Sequence, residues 1–203
     1  MNRTQAPRLG WTGGRAAVAI RQARPEDLPS LSDFFAGLSA HTRYLRFFGP
    51  VRPGAALLRT LAGFADNIDA LVAVRRGVIV GHAMAVDRLE TGGTRVTDIG
   101  VVVHDAWQGR GVGSALMRAL VSGAQARGVS TLEMDVLDSN RQVIAMITSH
   151  WSAARVDRNS DGLAIRVRLP QASSQPAAII PQLAHRVALP VPRDFGRQLR
   201  KPG

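Results

Sequence analysis

Three glycines at alternate positions, Gly109, Gly111 and Gly113, stand between an apolar run at residues 96–103 and a helical pattern at residues 112–126. A run that is apolar nearly throughout is typical of a strand buried on both faces. Glycine lets the backbone approach a bulky group, and the first turn of a helix offers free N–H groups and the positive end of its dipole. The segment therefore predicts a strand–loop–helix unit whose loop holds phosphate oxygens. A turn that only redirects the chain is the alternative.

Two common phosphate-binding patterns do not fit this loop. A P-loop requires G-x-x-x-x-G-K-[ST], whereas the single lysine of the chain is Lys201, far from the glycines. A dinucleotide-binding fingerprint reads G-x-G-x-x-G and opens a βαβ chain, whereas this loop reads G-x-G-x-G and lies in the middle of the sequence. The loop is therefore expected to serve another phosphate-bearing ligand.

Apolar periodicity and turn residues predict the other elements. Their order, β-α-α-α-β-β-β-α-β-α-β-β, indicates an α/β chain with a central mixed, mostly antiparallel sheet flanked by helices. Strands joined by short turns should be antiparallel, and the strands on either side of the 112–126 helix should be parallel. The expected helices cover residues 25–38, 42–48, 55–64, 112–126 and 140–151, and the expected strands cover residues 18–22, 70–74, 78–86, 96–103, 131–137, 155–158 and 163–169.

Composition divides the 203 residues into one domain and two tails. Residues 1–15 are rich in Arg, Gly, Thr and Pro and are expected to form a flexible tail, residues 16–170 the domain, and residues 171–203 a Pro- and Arg-rich tail or appendage. No apolar run is long enough for a signal peptide or a membrane span. A cytoplasmic protein without a membrane partner is therefore expected.

Charge and cysteine content restrict the function further. The formal net charge is +11, which reflects either a compositional bias toward arginine or attraction to a polyanion such as a phosphate-rich cofactor. The arginines are spread along the chain and no nucleic-acid-binding signature accompanies them, so nucleic acid is not the expected partner. The chain has no cysteine and its five histidines are scattered, which excludes a thiol nucleophile and argues against a metal site.

Read as Gln108-x-x-Gly111-x-Gly113, the loop is similar to the Q/R-x-x-G-x-G/A motif of the GNAT acyltransferase superfamily. The resemblance extends from about residue 20 to residue 169. The runs Tyr-Leu-Arg-Phe-Phe at 44–48 and Asp-Ala-Trp-Gln-Gly-Arg-Gly at 105–111 resemble the branch that contains the acetyltransferase domains of bacterial protein-lysine acetyltransferases.

This resemblance implies a GNAT-like fold, as a monomer or homodimer, and transfer of an acetyl group from acetyl-CoA to a primary amine. The amine belongs to a protein lysine or to a small molecule, and the transfer needs no metal. A non-catalytic acyl-CoA-binding module is the alternative.

The resemblance also implies which residues meet acetyl-CoA. The backbone at the end of the buried strand should pair with the pantetheine arm, and the amides of the glycine loop should hold the pyrophosphate. Asn140 should bond the pantetheine or phosphate region, cap a helix, or do both. The Arg110 side chain reaches the phosphates or is only solvated. The cosubstrate-binding set is Val101, Val102, Val103, Gln108, Gly109, Arg110, Gly111, Val112, Gly113, Ser114 and Asn140.

Amide formation from a thioester needs a neutral amine, and freeing a lysine amine of its proton at pH 7 costs roughly 4 to 5 kcal/mol. The resemblance places a general base at Asp98, where the protein-lysine branch has Glu; a solvent-facing strand residue is the alternative. Many relatives protonate the leaving thiolate with a Tyr whose position here is Ile147, so no residue fills that role. The helices at residues 27–48 would form the acceptor wall, with Tyr44 and Arg46 as the substrate-binding candidates and core packing as the alternative.

Overall fold

The computed structural model describes residues 18–160 and 162–170. Within these ranges, five α-helices and seven strands follow the order that the sequence predicts, and the helix predicted at residues 112–126 is confirmed at both ends. The strands are β1 Ala19–Gln22, β2 Ile68–Arg75, β3 Val78–Leu89, β4 Arg95–Val103, β5 Thr131–Val136, β6 Arg155–Asn159 and β7 Gly162–Arg168. The helices are α1 Leu28–Gly37, α2 Ala40–Phe47, α3 Ala55–Leu61, α4 Val112–Ala126 and α5 Arg141–His150.

The seven strands form one mixed sheet in the order β1-β2-β3-β4-β5-β7-β6. β1 to β4 are antiparallel to their neighbours in the sheet. The pairing of β2, β3 and β4 confirms the prediction from their short connections, whereas β1 reaches β2 only after three helices. α4 crosses over from β4 to β5, and these two strands are parallel, as predicted. β7 lies between β5 and β6 and is antiparallel to both, a placement that the hairpin signal alone does not specify.

The ladder between β4 and β5 is short. Residues Val96–Asp98 of β4 pair with Thr131–Glu133 of β5, and Asp98 opposite Glu133 is the last pair. Both strands continue beyond it, to Val103 and to Val136. We call the space between the unpaired continuations, residues 99–103 and 134–136, the β4–β5 gap. It opens in the direction of the glycine loop, because that loop follows β4 directly.

The sheet separates two buried clusters of apolar side chains. On one face, α4 packs over Ile99, Val101 and Val103 of β4. On the other face, α1, α2 and α3 cover a cluster that includes Val102. Because side chains alternate along a strand, Asp98 faces the same side as Val102 and these three helices.

Several element ends differ from the predicted ones for identifiable reasons. α2 begins at Ala40 rather than at residue 42, because the Ser39 hydroxyl caps it by accepting a hydrogen bond from the Thr42 N–H at 3.1 Å. β3 continues to Leu89 rather than ending at residue 86, because its last residues pair with the start of β4 at Arg95. Cross-strand pairing and capping thus extend elements beyond their apolar pattern.

Some predictions lie outside the described residues. The tails expected at residues 1–15 and 171–203 do so, and so does Asp161 in the expected turn between β6 and β7. Among residues 18–160 and 162–170, no helix is long and apolar enough to cross a membrane. The same residues contain no group of three or more His, Asp or Glu side chains placed to hold a metal ion.

Candidate active site

The glycine loop is open to a ligand. Gly109 and Gly111 have φ values of 70° and 81°, and a Cβ on either would meet nothing within 4 Å. The first hydrogen bond of α4 joins the Ala115 N–H to the Gly111 carbonyl at 3.0 Å. By helix geometry, the amides of residues 112–114 therefore have no carbonyl partner within the helix. Their N–H groups and the helix dipole make this turn a receptor for an anion.

A buried hydroxyl lies at the same helix end. Ser114 is only 2% exposed, and its Oγ has no hydrogen-bond partner among the described residues. Buried hydroxyl groups in folded proteins are almost always hydrogen-bonded. The orphaned Oγ therefore fits a site in which an additional group supplies the partner, whereas the role predicted for Ser114 from the sequence is a contact through its backbone amide.

The Gln108 side chain connects the loop to two other elements. Its Nε2 donates to the Val103 carbonyl at 3.1 Å and to the Thr42 Oγ1 at 3.2 Å. The side chain thus links the end of β4 to α2. The backbone N–H of Gln108 donates to the Asp105 carbonyl at 3.3 Å, so the predicted contact of this amide with phosphate would have to share or replace that hydrogen bond.

The β4 backbone divides its hydrogen-bonding groups between β3 and the gap. The His104 N–H donates to the Val80 carbonyl of β3 at 3.0 Å. Since facing residues of an antiparallel ladder alternate in their bonding, Val102 also points its backbone groups at β3, whereas Val101 and Val103 point theirs at the gap. The Val103 carbonyl is occupied by the glutamine described above. Of the three residues predicted to pair with pantetheine, Val101 is the one that offers both backbone groups.

Asp98 lies at the closed end of the gap. Its side chain is 19% exposed, and its Oδ2 is 3.3 Å from the Arg88 Nε. Burial raises the pKa of Asp98 to about 6, with a further rise from the negative charges of Glu133 and Asp135; Arg88 acts in the opposite direction. A carboxyl group with a pKa near neutrality is suited to accept and release a proton at physiological pH.

Asp98 belongs to a charge network that the sequence analysis missed. Arg88 also contacts Glu133 and Glu90. Arg166 of β7 contacts the same two glutamates, with its Nε 2.7 Å from the Glu133 Oε1. The network spans β3, β4, β5 and β7. The only available signal was the alternation of polar residues in β5, which does not reveal partners on distant strands.

The two acceptor-side candidates differ in exposure. Tyr44 is 47% exposed. Arg46 is fully buried, and none of its three side-chain nitrogens has a hydrogen-bond partner among the described residues. Its guanidinium carbon is 5.2 Å from the centre of the Phe47 ring, and burial lowers the pKa of Arg46 to about 9. As placed, Arg46 offers no surface to an acceptor, which leaves Tyr44 as the accessible candidate.

Asp105 ties the loop to the start of α2. Its carboxylate accepts hydrogen bonds from the Ser39 N–H at 3.0 Å and from the Ser39 hydroxyl at 2.7 Å. Burial would raise the pKa of Asp105, but the hydrogen bonds outweigh burial and hold the pKa below its ordinary value. The carboxylate is thus a charged anchor between the loop and the acceptor-side helices.

Two other predicted residues occupy the edges of the site. Asn140 is at the N-cap position of α5; its side chain makes no cap hydrogen bond, and its carbonyl accepts from the Ile144 N–H at 3.1 Å. The Arg110 guanidinium carbon is 5.2 Å from the centre of the Trp107 ring, over which Arg75 also lies. The ring therefore holds the side chain of Arg110 close to the backbone of the glycine loop.

The sequence is similar to a known protein family and to a characterised protein. The sequence model of the Acetyltransferase (GNAT) family matches residues 39–150. Acetyltransferase Pat of Mycolicibacterium smegmatis is 31% identical over 137 residues, which cover 65% of this chain and 41% of that protein. The chain thus spans less than half the length of this relative.

Solved structures share the fold. The GNAT domain of PAT from S. lividans is 26% identical, with a TM-score of 0.66 over 75% of this chain and 91% of that one. A putative acetyltransferase from Salmonella typhimurium, solved with its cofactor acetyl-CoA, is 21% identical, with a TM-score of 0.56 over 79% of this chain and 99% of that one. With the family match covering more than half of the 203 residues, the chain belongs to the Acetyltransferase (GNAT) family.

Proposed function

We propose that the chain moves the acetyl group of acetyl-CoA to a primary amine by direct attack on the thioester, with Asp98 as the general base. One observation carries the proposal. The largely shielded carboxyl of Asp98 lies at the last residue pair of β4 and β5, where the two strands separate, and its pKa of about 6 is suited to proton transfer. Gly100 follows on the same face, so no side chain of β4 stands next to Asp98 on the side of the gap.

Acetyl-CoA would lie along the gap. The N–H and carbonyl of Val101 would pair with the amides of the pantetheine arm, as a neighbouring strand would. The pyrophosphate would be bound by the amides of residues 112–114 and the glycine loop, and Arg110 would contribute positive charge. This arrangement brings the thioester to the β4–β5 gap and leaves the side of α1 and α2 for the acceptor.

The transfer step has a defined proton balance. Asp98, directly or through one water, takes a proton from the ammonium form of the acceptor. The neutral nitrogen attacks the thioester carbonyl, a C–N bond forms, and the C–S bond breaks. The second proton of the nitrogen passes to the departing sulfur, and Asp98 then releases its own proton to solvent. The products are the acetamide, CoA and one proton.

A protein lysine is the favoured acceptor class, because the chain is similar to Pat and carries the 44–48 and 105–111 runs of the protein-lysine branch. The exposed Tyr44 of α2 would contact the acceptor. A small-molecule amine is the second class.

Thiol release from acetyl-CoA tests the proposal. The acceptor panel holds lysine peptides, an acyl-CoA synthetase, polyamines, amino acids and aminoglycosides. The chain has no cysteine, so the protein adds no thiol background. We expect release with one acceptor class, and a loss of about 100-fold or more in kcat/KM in Asp98→Asn with acetyl-CoA affinity unchanged. Asp87→Asn is the control, because Asp87 is a partly buried carboxylate that pairs with Arg127 instead of Arg88.

A non-catalytic acyl-CoA-binding module predicts a different pattern. Acetyl-CoA would bind with normal affinity to the wild type and to Asp98→Asn, and no acceptor would release thiol. That result would replace the proposed transfer with binding alone.

A further inference from the structure

Asp98 and Glu133 stand side by side on neighbouring strands. They are directly opposite in the parallel register of β4 and β5, so both side chains project from the same face of the sheet. Both are largely shielded from solvent, with 19% and 16% of the side chains exposed. Like charges directly opposite each other on a sheet are destabilising. Two ionised carboxylates here therefore need a cation between them.

Arg88 is that cation. It projects from β3, with its Nε 3.3 Å from the Asp98 Oδ2, while its Nη2 donates to the Glu133 Oε2. A single guanidinium therefore bridges the two acids, using different nitrogens for each. The planar fork of arginine fixes the directions of these nitrogens, which a lysine ammonium would not do. The bridge thus sets both the charge state and the direction of the Asp98 carboxylate.

We propose that Arg88 is a positioning residue for acetyl transfer, which holds Asp98 ionised and turned toward the β4–β5 gap. The negative charge of Glu133 has the opposite effect on the protonation of Asp98. The pair sets the lowest pH at which Asp98 works as a base. This inference rests on the proposed function, since it assigns Arg88 a role in the reaction through Asp98.

Other charged groups near Asp98 come from each neighbouring element. Glu90, just beyond β3, and Arg166 of β7 complete the network, and Asp135 of β5 adds negative charge. α4 packs on the opposite face of the sheet. Of the charged side chains of α2, which contacts β4, only Arg46 is buried. Arg88 is the cation of this set that touches Asp98.

Opposite changes follow from removing the two residues. Arg88→Gln deletes the positive charge and leaves Glu133, so Asp98 holds its proton to higher pH. Glu133→Gln deletes the negative charge and leaves Arg88, so Asp98 loses its proton at lower pH. We expect each midpoint to move by about one pH unit, in opposite directions. A purely structural contribution to the sheet would not produce shifts of opposite sign.

The experiment follows Asp98 by two readouts. The first is the ¹³C carboxyl titration of Asp98 by NMR, assigned with Asp98→Asn, and the second is the acidic limb of the kcat/KM profile. The variants are Arg88→Gln, Glu133→Gln and Arg88→Lys. Arg88→Lys keeps the positive charge, so its Asp98 titration midpoint should lie close to that of the wild type, while its kcat should remain lower. Arg127→Gln is the matched control, because Arg127 bridges Asp69 and Asp87 on the sheet without touching Asp98. Its two readouts should equal those of the wild type.

The outcomes separate the inference from the proposed function. The inference and the proposed function are both supported if the NMR midpoint of Asp98 shifts in opposite directions in Arg88→Gln and Glu133→Gln and the acidic limb of the kcat/KM profile shifts with it. If the NMR midpoint stays fixed, or moves the same way in Arg88→Gln and Glu133→Gln, the positioning role of Arg88 is wrong whatever Asp98 does. If the midpoints move as expected but the kinetic limb does not, Asp98 is not the base and Arg88 has no part in the transfer.

Discussion

The carboxylate of Asp105 accepts a hydrogen bond from the Thr42 hydroxyl at 2.7 Å, which joins the first turn of α2 to the residue that begins the turn into the glycine loop. The same hydroxyl accepts from the Gln108 side chain at 3.2 Å. Thr42 is buried, so one oxygen serves as both donor and acceptor at the junction of the acceptor-side helices and the cosubstrate loop.

Replacing Thr42 with valine should loosen this junction. The substitution keeps the shape and removes the hydroxyl, leaving buried polar groups without their partner, and we expect a loss of about 1–3 kcal/mol in the free energy of unfolding. The KM for acetyl-CoA should rise, because the loop loses its attachment to α2. Urea unfolding and steady-state kinetics measure the two effects. Thr60→Val is the control, since the Thr60 hydroxyl bonds only a carbonyl of its own helix on an exposed face; equal losses in both variants would contradict the junction.

The glycine loop offers a second matched pair. Gly111 and Gly128 flank the two ends of α4 with similar φ values of 81° and 77°, and a Cβ at either position meets nothing within 4 Å. Alanine at either site should cost about 1 kcal/mol of stability, from the left-handed conformation alone. Only Gly111→Ala should weaken acetyl-CoA binding, by about tenfold or more, because only there does a phosphate approach the backbone. Isothermal titration with acetyl-CoA checks this, and similar affinities for both variants would exclude the loop as the pyrophosphate site.

His82 should make the fold sensitive to acid. Its Nε2–H donates to the Leu61 carbonyl at 2.7 Å, and burial, together with the positive charge of Arg46, lowers its pKa to about 3. An unfolded histidine titrates near 6.5, so the unfolded state binds the extra proton between these values and stability falls as the pH is lowered through them. The slope contributed by His82 is up to about 1.4 kcal/mol per pH unit. Urea unfolding at pH 7, 5.5 and 4.5 should show a shallower loss in His82→Gln, and parallel profiles would contradict a neutral buried His82.

We expect the buried charge of Arg46 to destabilise the folded state. Its guanidinium is enclosed beside Phe47 without a hydrogen-bond partner among the described residues, and its depressed pKa reports the cost of burying the charge. Replacement of buried ion pairs by well-packed apolar side chains of similar volume is often neutral or stabilising by about 1–4 kcal/mol, and a buried charge without a partner has less to lose. We expect Arg46→Met to raise the melting temperature at pH 7. A large drop would mean that the guanidinium has an essential partner, which the acceptor-side role predicted from the sequence would supply.

Local signals were enough to predict the element order and the parallel pair around α4. The three glycines of the loop and the continuous apolar run of β4 extend over a few residues, so the sequence displays them directly. Arg88 and Glu133 are separated by 45 positions, and their contact depends on the register of three strands, which no local pattern encodes. The same limit applies to Arg46: its spacing on α2 is clear, but whether that face turns to the acceptor or to the core depends on how the helices pack.

The short ladder between β4 and β5 has a consequence for how the protein responds to its surroundings. Within the described residues, the strand ladder that joins β1–β4 to the three-stranded end of the sheet is only three residue pairs long. On the proposed binding mode, the cosubstrate acts as a missing strand, so the sheet is complete only when it is loaded. A ligand at 100 times its dissociation constant adds about 2.7 kcal/mol to the stability of a protein. The resistance of the protein to proteolysis would then depend on the concentration of acetyl-CoA. When acetyl-CoA is scarce, the molecules without bound cosubstrate would be degraded first.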